Sequence, residues 1–148
     1  MSNRSLPARI ITDAAGIATL IRATRRIAVL GIKTEDDSDQ PAYYVPAALA
    51  AAGFEIVPVP VYYPGVQSIL GQPVYRTLAA IPEPVDMVNV FRRSSALTDH
   101  LDDILAAHPA SVWLQQGIRD DAFAQRLVEA GISVVQDRCL MVEQRQLR

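Results

Sequence analysis

The chain has 148 residues, half of them hydrophobic and 20% charged, with a formal net charge of −2 and a pI of about 5.6. This ordinary globular composition excludes disorder and predicts a single domain over residues 1–148. The acidic balance lacks the broad basic surface of a nucleic-acid binder, and no apolar run reaches the ~20 residues of a membrane helix. One cysteine, Cys139, excludes an internal disulfide and a cysteine-based zinc site. Met1 to Ile10 carries two arginines but no apolar stretch long enough for a signal peptide. The expected location is therefore cytoplasmic, with neither nucleic acid nor membrane as partner.

In chain order, Thr12 to Thr24 reads as a helix, with Ile17, Leu20 and Ile21 at helical spacing and Thr12 or Asp13 as its cap. Arg25 and Arg26 follow. The continuous apolar run Ile27-Ala28-Val29-Leu30, ending at Gly31, has the pattern of a central parallel strand. A polar loop from Lys33 to Gln40 leads into an alanine-rich helix, Tyr43 to Ala52, closed by Gly53. Pro46 is expected close to the start of that helix, where a backbone N–H is unpaired anyway. Phe54 to Val59 is a second strand. Pro60 to Gly71 is a loop, and a short edge strand around Pro73 to Tyr75 follows it. Val85 to Phe91 is the next strand, and Ser94 or Ser95 caps a helix running to about Ala107. Then come a strand (Ser111 to Gln115), a helix (Arg119 to Ala130) closed by Gly131, a last strand (Ile132 to Gln136) and a helical turn or two from Arg138. Strands alternating with helices predict an α/β, three-layer, doubly wound Rossmann-like fold with a mostly parallel sheet. The spacing suits the strand order 3-2-1-4-5-6, with a helix at about 12–24 preceding a core of about 26–148.

In such a sheet, ligands bind at the carboxyl ends of the strands flanking the point where the strand order reverses. Those ends carry Gly31 and Lys33 on one strand and Phe91, Arg92 and Arg93 on the other; strand parity decides which arginine faces inward. The following strand ends in Gln115-Gln116-Gly117, which offers amides and a close backbone approach. The helix after Gly31 directs its positive end into the same crevice, which favours a phosphate. Taken singly, each of these residues is more often structural than functional; their convergence on one edge is the signal. The G-x-G-x-x-G fingerprint is absent, because Gly31 is the only glycine between Gly16 and Gly53. The second strand ends Val57-Pro58-Val59-Pro60, without the carboxylate that holds an NAD ribose; this apolar end suits an adenine ring. No G-K-[ST] occurs, which excludes a P-loop.

The stretches Ile27-Ala28-Val29-Leu30-Gly31, Pro41-Ala42-Tyr43-Tyr44-Val45, Pro82-Glu83-Pro84-Val85-Asp86, Val90-Phe91-Arg92-Arg93-Ser94, Val112-Trp113-Leu114-Gln115-Gln116-Gly117-Ile118-Arg119 and Asp137-Arg138-Cys139-Leu140-Met141-Val142-Glu143 carry a resemblance. The chain resembles the small CoA-binding proteins with a Rossmann-like fold, related to the CoA-binding domain of the succinyl-CoA synthetase α subunit. The resemblance runs from about Arg26 to the C-terminus and implies bound coenzyme A or an acyl-CoA. It implies Gly31, Ile32 and Lys33 on the diphosphate side, with Tyr44 and Val45 in the adjoining wall. It also implies Val59 and Pro60 near the adenine, Phe91 and Arg92 at the crevice floor, and Gln116 and Gly117 toward the pantetheine arm; Gln40 and Arg93 are further candidate binding residues. The first loop is about two residues longer than is usual in that family, and Gln40 replaces a basic residue. Asp36, Asp37 and Asp39 sit nearby. Facing a diphosphate they are repulsive, on the order of 1 kcal/mol or more each; the alternative is that they cap the helix and point to solvent.

No paired carboxylates or metal-ligand cluster demands an enzyme. His100 and His108 read as surface or capping residues away from the crevice. Cys139 beside Arg138 lacks an evident partner histidine, and Asp137 and Glu143 are expected to pair with Arg138 and Arg145. Non-catalytic CoA binding is therefore the leading reading. The alternatives are an enzyme acting on a CoA thioester or another nucleotide through Cys139 or Lys33, and an interaction protein with a degenerate nucleotide site. A homodimer suits so small a domain, with Tyr62-Tyr63 in the contact.

Overall fold

A computed structural model describes residues 7–147; the sequence-based readings on residues 1–6 lie outside it. Seven strands and five α-helices follow in the order α1 (Ala14–Arg22), β1 (Arg26–Leu30), α2 (Pro41–Ala51), β2 (Glu55–Val59), β3 (Ser68–Ile69), β4 (Gln72–Pro73), β5 (Met87–Val90), α3 (Leu101–Ala107), β6 (Ser111–Leu114), α4 (Asp121–Glu129), β7 (Ser133–Val135) and α5 (Leu140–Arg145). Five strands form a parallel sheet in the order β2-β1-β5-β6-β7.

Alternation along the strands divides the core into two layers. Ala28, Leu30, Val57, Val59, Val88, Val90, Val112 and Leu114 pack with Leu97, Ile104, Phe123 and Leu127. Ile27, Val29, Ile56, Met87 and Trp113 pack on the opposite face with Ile17, Ile21, Val45, Leu49 and Leu140. Burial on both faces explains why the strands read as unbroken apolar runs. The three-layer α/β architecture is thus the one expected.

The strand order differs from 3-2-1-4-5-6. The segment expected as an edge strand instead forms the β3–β4 hairpin, a separate two-stranded sheet. A single bond, from the Tyr75 N–H to the Pro58 carbonyl (3.0 Å), ties its exit to the outer side of β2. Pro73 has no N–H to extend a ladder, so the sixth strand reduces to that one contact.

Three helix boundaries also differ. α2 starts at Pro41, so Pro46 lies inside the helix rather than near its start. The segment after β5 is a 3-10 helix over Ser94–His100 that turns into α3 only at Leu101. Neither Ser94 nor Ser95 caps it; the Ser94 hydroxyl accepts the Arg119 N–H (3.0 Å). α4 starts at Asp121, capped by Asp120, whose carboxylate accepts the Phe123 N–H. Asp13 caps α1 by accepting from the Gly16 N–H, one of the two candidates the sequence offered.

Candidate functional site at the carboxyl edge of the sheet

The registers bring the ends of three strands to one level. Leu30 pairs with Val59 on one side and with Val90 on the other. The Gly31 N–H donates to the Val59 carbonyl (2.9 Å), and the Phe91 N–H donates to the Leu30 carbonyl (2.8 Å). Gly31 has φ +89°, and a β-carbon there would collide with the Phe91 carbonyl oxygen and crowd Arg92 Cδ at 3.3 Å. Both the backbone conformation and the close approach therefore require glycine.

The first loop is fixed by an interplay of two residues thirteen positions apart. Pro46 has no N–H, so the Ala42 carbonyl four residues earlier has no helical donor. The Lys33 N–H takes that carbonyl instead (3.1 Å). The internal proline thus ties the loop to the first turn of α2. Ile32 is buried, and Gln40 is the exposed cap residue, without a side-chain bond to the helix.

The acids of this loop resolve the alternatives left by the sequence. None caps α2. Asp37 accepts the Tyr63 hydroxyl (2.7 Å), and Glu35 accepts the Leu70 N–H (3.0 Å). The carboxylate of Asp37, together with burial, pushes the Tyr63 phenol up to about 12. Asp36 and Asp39 are exposed. Arg76 completes the fastening: its guanidinium donates to the carbonyls of Tyr62, Tyr63, Pro64 and Val66. Two loops, one after β1 and one after β2, are stitched into a single wall.

Tyr62 stands where the basic residues meet. Arg92 Nη1 donates to its hydroxyl (3.3 Å), and the guanidinium carbon lies 5.7 Å from its ring centroid. Its phenol is held below the ordinary value first by the Arg92 hydrogen bond and charge, and further by Arg93 and Lys33. All three cations act on this one hydroxyl. Among the described residues none of the three makes an ion pair. Arg92 is half-buried and Arg93 exposed, which settles the parity question in favour of Arg92.

His100 corrects an expectation: it lies beside the crevice, not away from it. Arg92 Nε donates to His100 Nε2 (3.1 Å). The 3-10 turns after β5 fold this residue back over the arginine eight positions earlier. Burial and the arginine charge hold the imidazole below its ordinary value. His108 caps α3 in a left-handed conformation (φ +48°), and its ring bonds the Ala130 carbonyl.

The remaining predicted residues divide. Phe91 packs partly buried beside Gly31, Pro60 is buried, and Tyr44 is 42% exposed on the first turn of α2. Val45 and Val59 are core residues, 0% and 1% exposed. Gln116 and Gly117 are exposed at the end of β6, and no hydrogen bond joins them to the cation cluster among the described residues. They belong to a clasp. Trp113 Nε1 donates to the Arg138 carbonyl (2.8 Å), the Leu140 N–H donates to Gln115 Oε1 (3.1 Å), and the Gly117 N–H donates to Asp137 Oδ1 (2.6 Å). Alternate residues of W-x-Q-x-G thus lock the segment that opens α5. Buried Asn89 adds a bond from its amide to Gln115 Oε1 (3.2 Å). Arg138 pairs with Glu143 at 3.5 Å as expected, while Asp137 serves the clasp. Cys139 is the half-buried cap residue of α5.

Sequence reasoning missed Tyr62 and His100 as members of this site. The position of Tyr62 just after a strand ending at the crevice was a usable signal. His100 carried none, because its approach depends on the 3-10 path. Among the described residues no cluster of three or more metal-ligating side chains occurs, and no helix is long and apolar enough to cross a membrane.

Residues 25–145 match the family described as CoA binding domain. The Bacillus subtilis protein YneT is 35% identical over 128 residues, covering 86% of this chain and 91% of that protein. A solved Thermus thermophilus structure, cell-free ID.343, is 42% identical, covers 93% of this chain and all of that one, and superposes with a TM-score of 0.84. The dinucleotide forming acetyl-coenzyme A synthetase 1 of Ca. Korarchaeum cryptofilum shares the fold at 19% identity (TM-score 0.65), over 78% of this chain and 27% of that chain. The chain belongs to the CoA binding domain family.

Proposed function

We propose that this protein binds coenzyme A or an acyl-CoA, without catalysing a reaction on it, at the carboxyl edge between β1 and β5. The observation that carries this reading is the gathering of Lys33, Arg92 and Arg93 just past the level carboxyl ends of β1 and β5, with Arg92 on the Tyr62 hydroxyl and none of the three paired with a carboxylate among the described residues. Unpaired cations beside a tight backbone approach suit the diphosphate and the 3′-phosphate of CoA. In this reading Gly31, Ile32 and Lys33 line the diphosphate side, and Gln40 and Tyr44 form the wall. Pro60 and the end of β2 flank the adenine, Phe91, Arg92 and Arg93 form the floor, and Gln116 and Gly117 lie toward the pantetheine. Val45 and Val59 support the wall from the core rather than by contact.

Calorimetry with CoA, 3′-dephospho-CoA and ADP tests the assignment. Binding of CoA that weakens stepwise along that series supports it. Absence of heat with folded protein at millimolar CoA overturns it.

A further inference from the structure

We propose that His100 is a positioning residue for Arg92, and that ligand binding at this edge requires the imidazole to be neutral. The inference rests on the CoA-binding reading and adds to it a group that sets when the arginine is presented. An arginine Nε always carries its proton, so the His100 nitrogen 3.1 Å away is the acceptor and bears none. That bond and the Tyr62 hydroxyl at 3.3 Å fix the guanidinium on two of its edges. Among the described residues Nη2 has no hydrogen-bond partner, which leaves it for a phosphate oxygen.

Protonation of His100 turns the acceptor into a donor and sets two cations against each other. The arginine must then leave, and with it the plane of its fork. The charged groups acting on the ring are Arg92 itself, Asp99 beside it in the 3-10 helix and Asp103 on α3. Asp103 is already engaged by the Leu78 and Ala79 N–H groups (2.7 and 3.0 Å), so it holds that loop rather than the imidazole. A bystander histidine predicts the opposite behaviour: a new positive charge near a polyanion tightens binding on acidification.

The test compares wild type, His100→Gln and His100→Ala by CoA calorimetry from about pH 7.5 down to about pH 4.5, well below the ordinary imidazole value because burial and Arg92 hold His100 lower. The glutamine carbonyl accepts from Arg92 and does not titrate. The expected result is near wild-type affinity for His100→Gln at the upper pH and a smaller loss than wild type on acidification. His100→Ala should bind roughly tenfold more weakly throughout. Changes in the protonation of CoA itself are common to all three proteins and cancel in the comparison. In ligand-free protein, the Arg92 Nε–H should give a protected NMR cross-peak that is lost in His100→Ala and below the imidazole pKa. Identical affinities and pH profiles in all three proteins, or an Arg92 signal indifferent to His100, overturn the inference while leaving CoA binding intact. Failure of wild type to bind CoA overturns the site reading instead, and the ligand-free signal then still decides the Arg92–His100 coupling.

Discussion

The two edges of the sheet both carry charges and use them differently. At the amino edge the acids are spent on neighbouring arginines and backbone N–H groups. Arg26 pairs with Glu55 and Glu83, Arg9 pairs with Asp13, and the Asp86 carboxylate accepts the N–H groups of Arg25 and Arg26. At the carboxyl edge Asp37 and Glu35 are drawn off to Tyr63 and to the Leu70 backbone, Asp36 and Asp39 are exposed, and Lys33, Arg92 and Arg93 make no ion pair among the described residues. A net charge of −2 hides this difference. Space does not track it either. A cleft of about 750 Å³ lies beside α1, lined by Arg9, Asp13, Asp86 and Ser133, which are the residues whose charges and hydroxyls are already bonded. Local charge satisfaction, rather than volume or overall sign, separates the edge that holds the fold from the edge that is ready for an anion.

The largest effect that bears on this contrast is expected at Gly31. Gly31→Ala forces a left-handed alanine and a collision with the Phe91 carbonyl, and should cost about 3 kcal/mol and lower the Tm by about 10 °C. A thermal melt within a degree or two of wild type would show that the edge relaxes freely. Next comes the pair Arg92→Ala and Arg26→Ala. Loss of a charged donor to phosphate is worth ~2 kcal/mol, so Arg92→Ala should weaken CoA binding roughly 30-fold. Arg26→Ala should leave the Kd unchanged and stability within about 1 kcal/mol, because its partners are exposed. Equal effects of the two variants on Kd would erase the distinction between the edges.

A smaller change is expected from Arg76→Ala. It removes the donors to four loop carbonyls and should speed amide exchange over residues 61–75, with a stability cost of ~1 kcal/mol. Unaltered exchange there would mean that Asp37 and Glu35 hold the wall unaided.

The finest test uses the adjacent tyrosines, which are shifted in opposite directions. Tyr62 ionises below the ordinary phenol value of 10.0 and Tyr63 at about 12. A raised folded-state pKa means that the contribution of Tyr63 is present below 10.0 and is lost as pH climbs through about 12. Denaturant midpoints of wild type and Tyr63→Phe should therefore converge over that window; parallel curves would count against the Asp37 bond. Because the cations depress Tyr62, CoA should return its phenolate absorbance toward the ordinary value. No shift on saturation would detach the ligand from the cation cluster.

Much of the fold was legible because its signals are local. The apolar runs at Ile27–Leu30 and Val112–Leu114 are strands buried on both faces, and Asp13 and the alanine-rich stretch before Gly53 mark helix ends. Pro46 was misplaced because the acceptor that compensates its missing donor, the Ala42–Lys33 contact, lies outside the helix. The strand order erred because the segment expected as a short edge strand pairs within the β3–β4 hairpin and gives β2 only the Tyr75–Pro58 bond. The W-x-Q-x-G and D-R-C segments supported the resemblance, yet most of their polar groups hold each other.

The sequence by itself determined the α/β layering and pointed to the edge where the proposed site lies, since both follow from hydrophobic period and from which residues end the strands. Tertiary structure alone decided the character of that edge. Whether a carboxylate neutralises a neighbouring lysine or accepts a tyrosine 26 positions away depends on where two loops meet. Whether a histidine lies in a site or beside it depends on the turn of a short 3-10 helix. Spacing along the chain does not encode such contacts, because hydrogen-bond partners are chosen by distance in space.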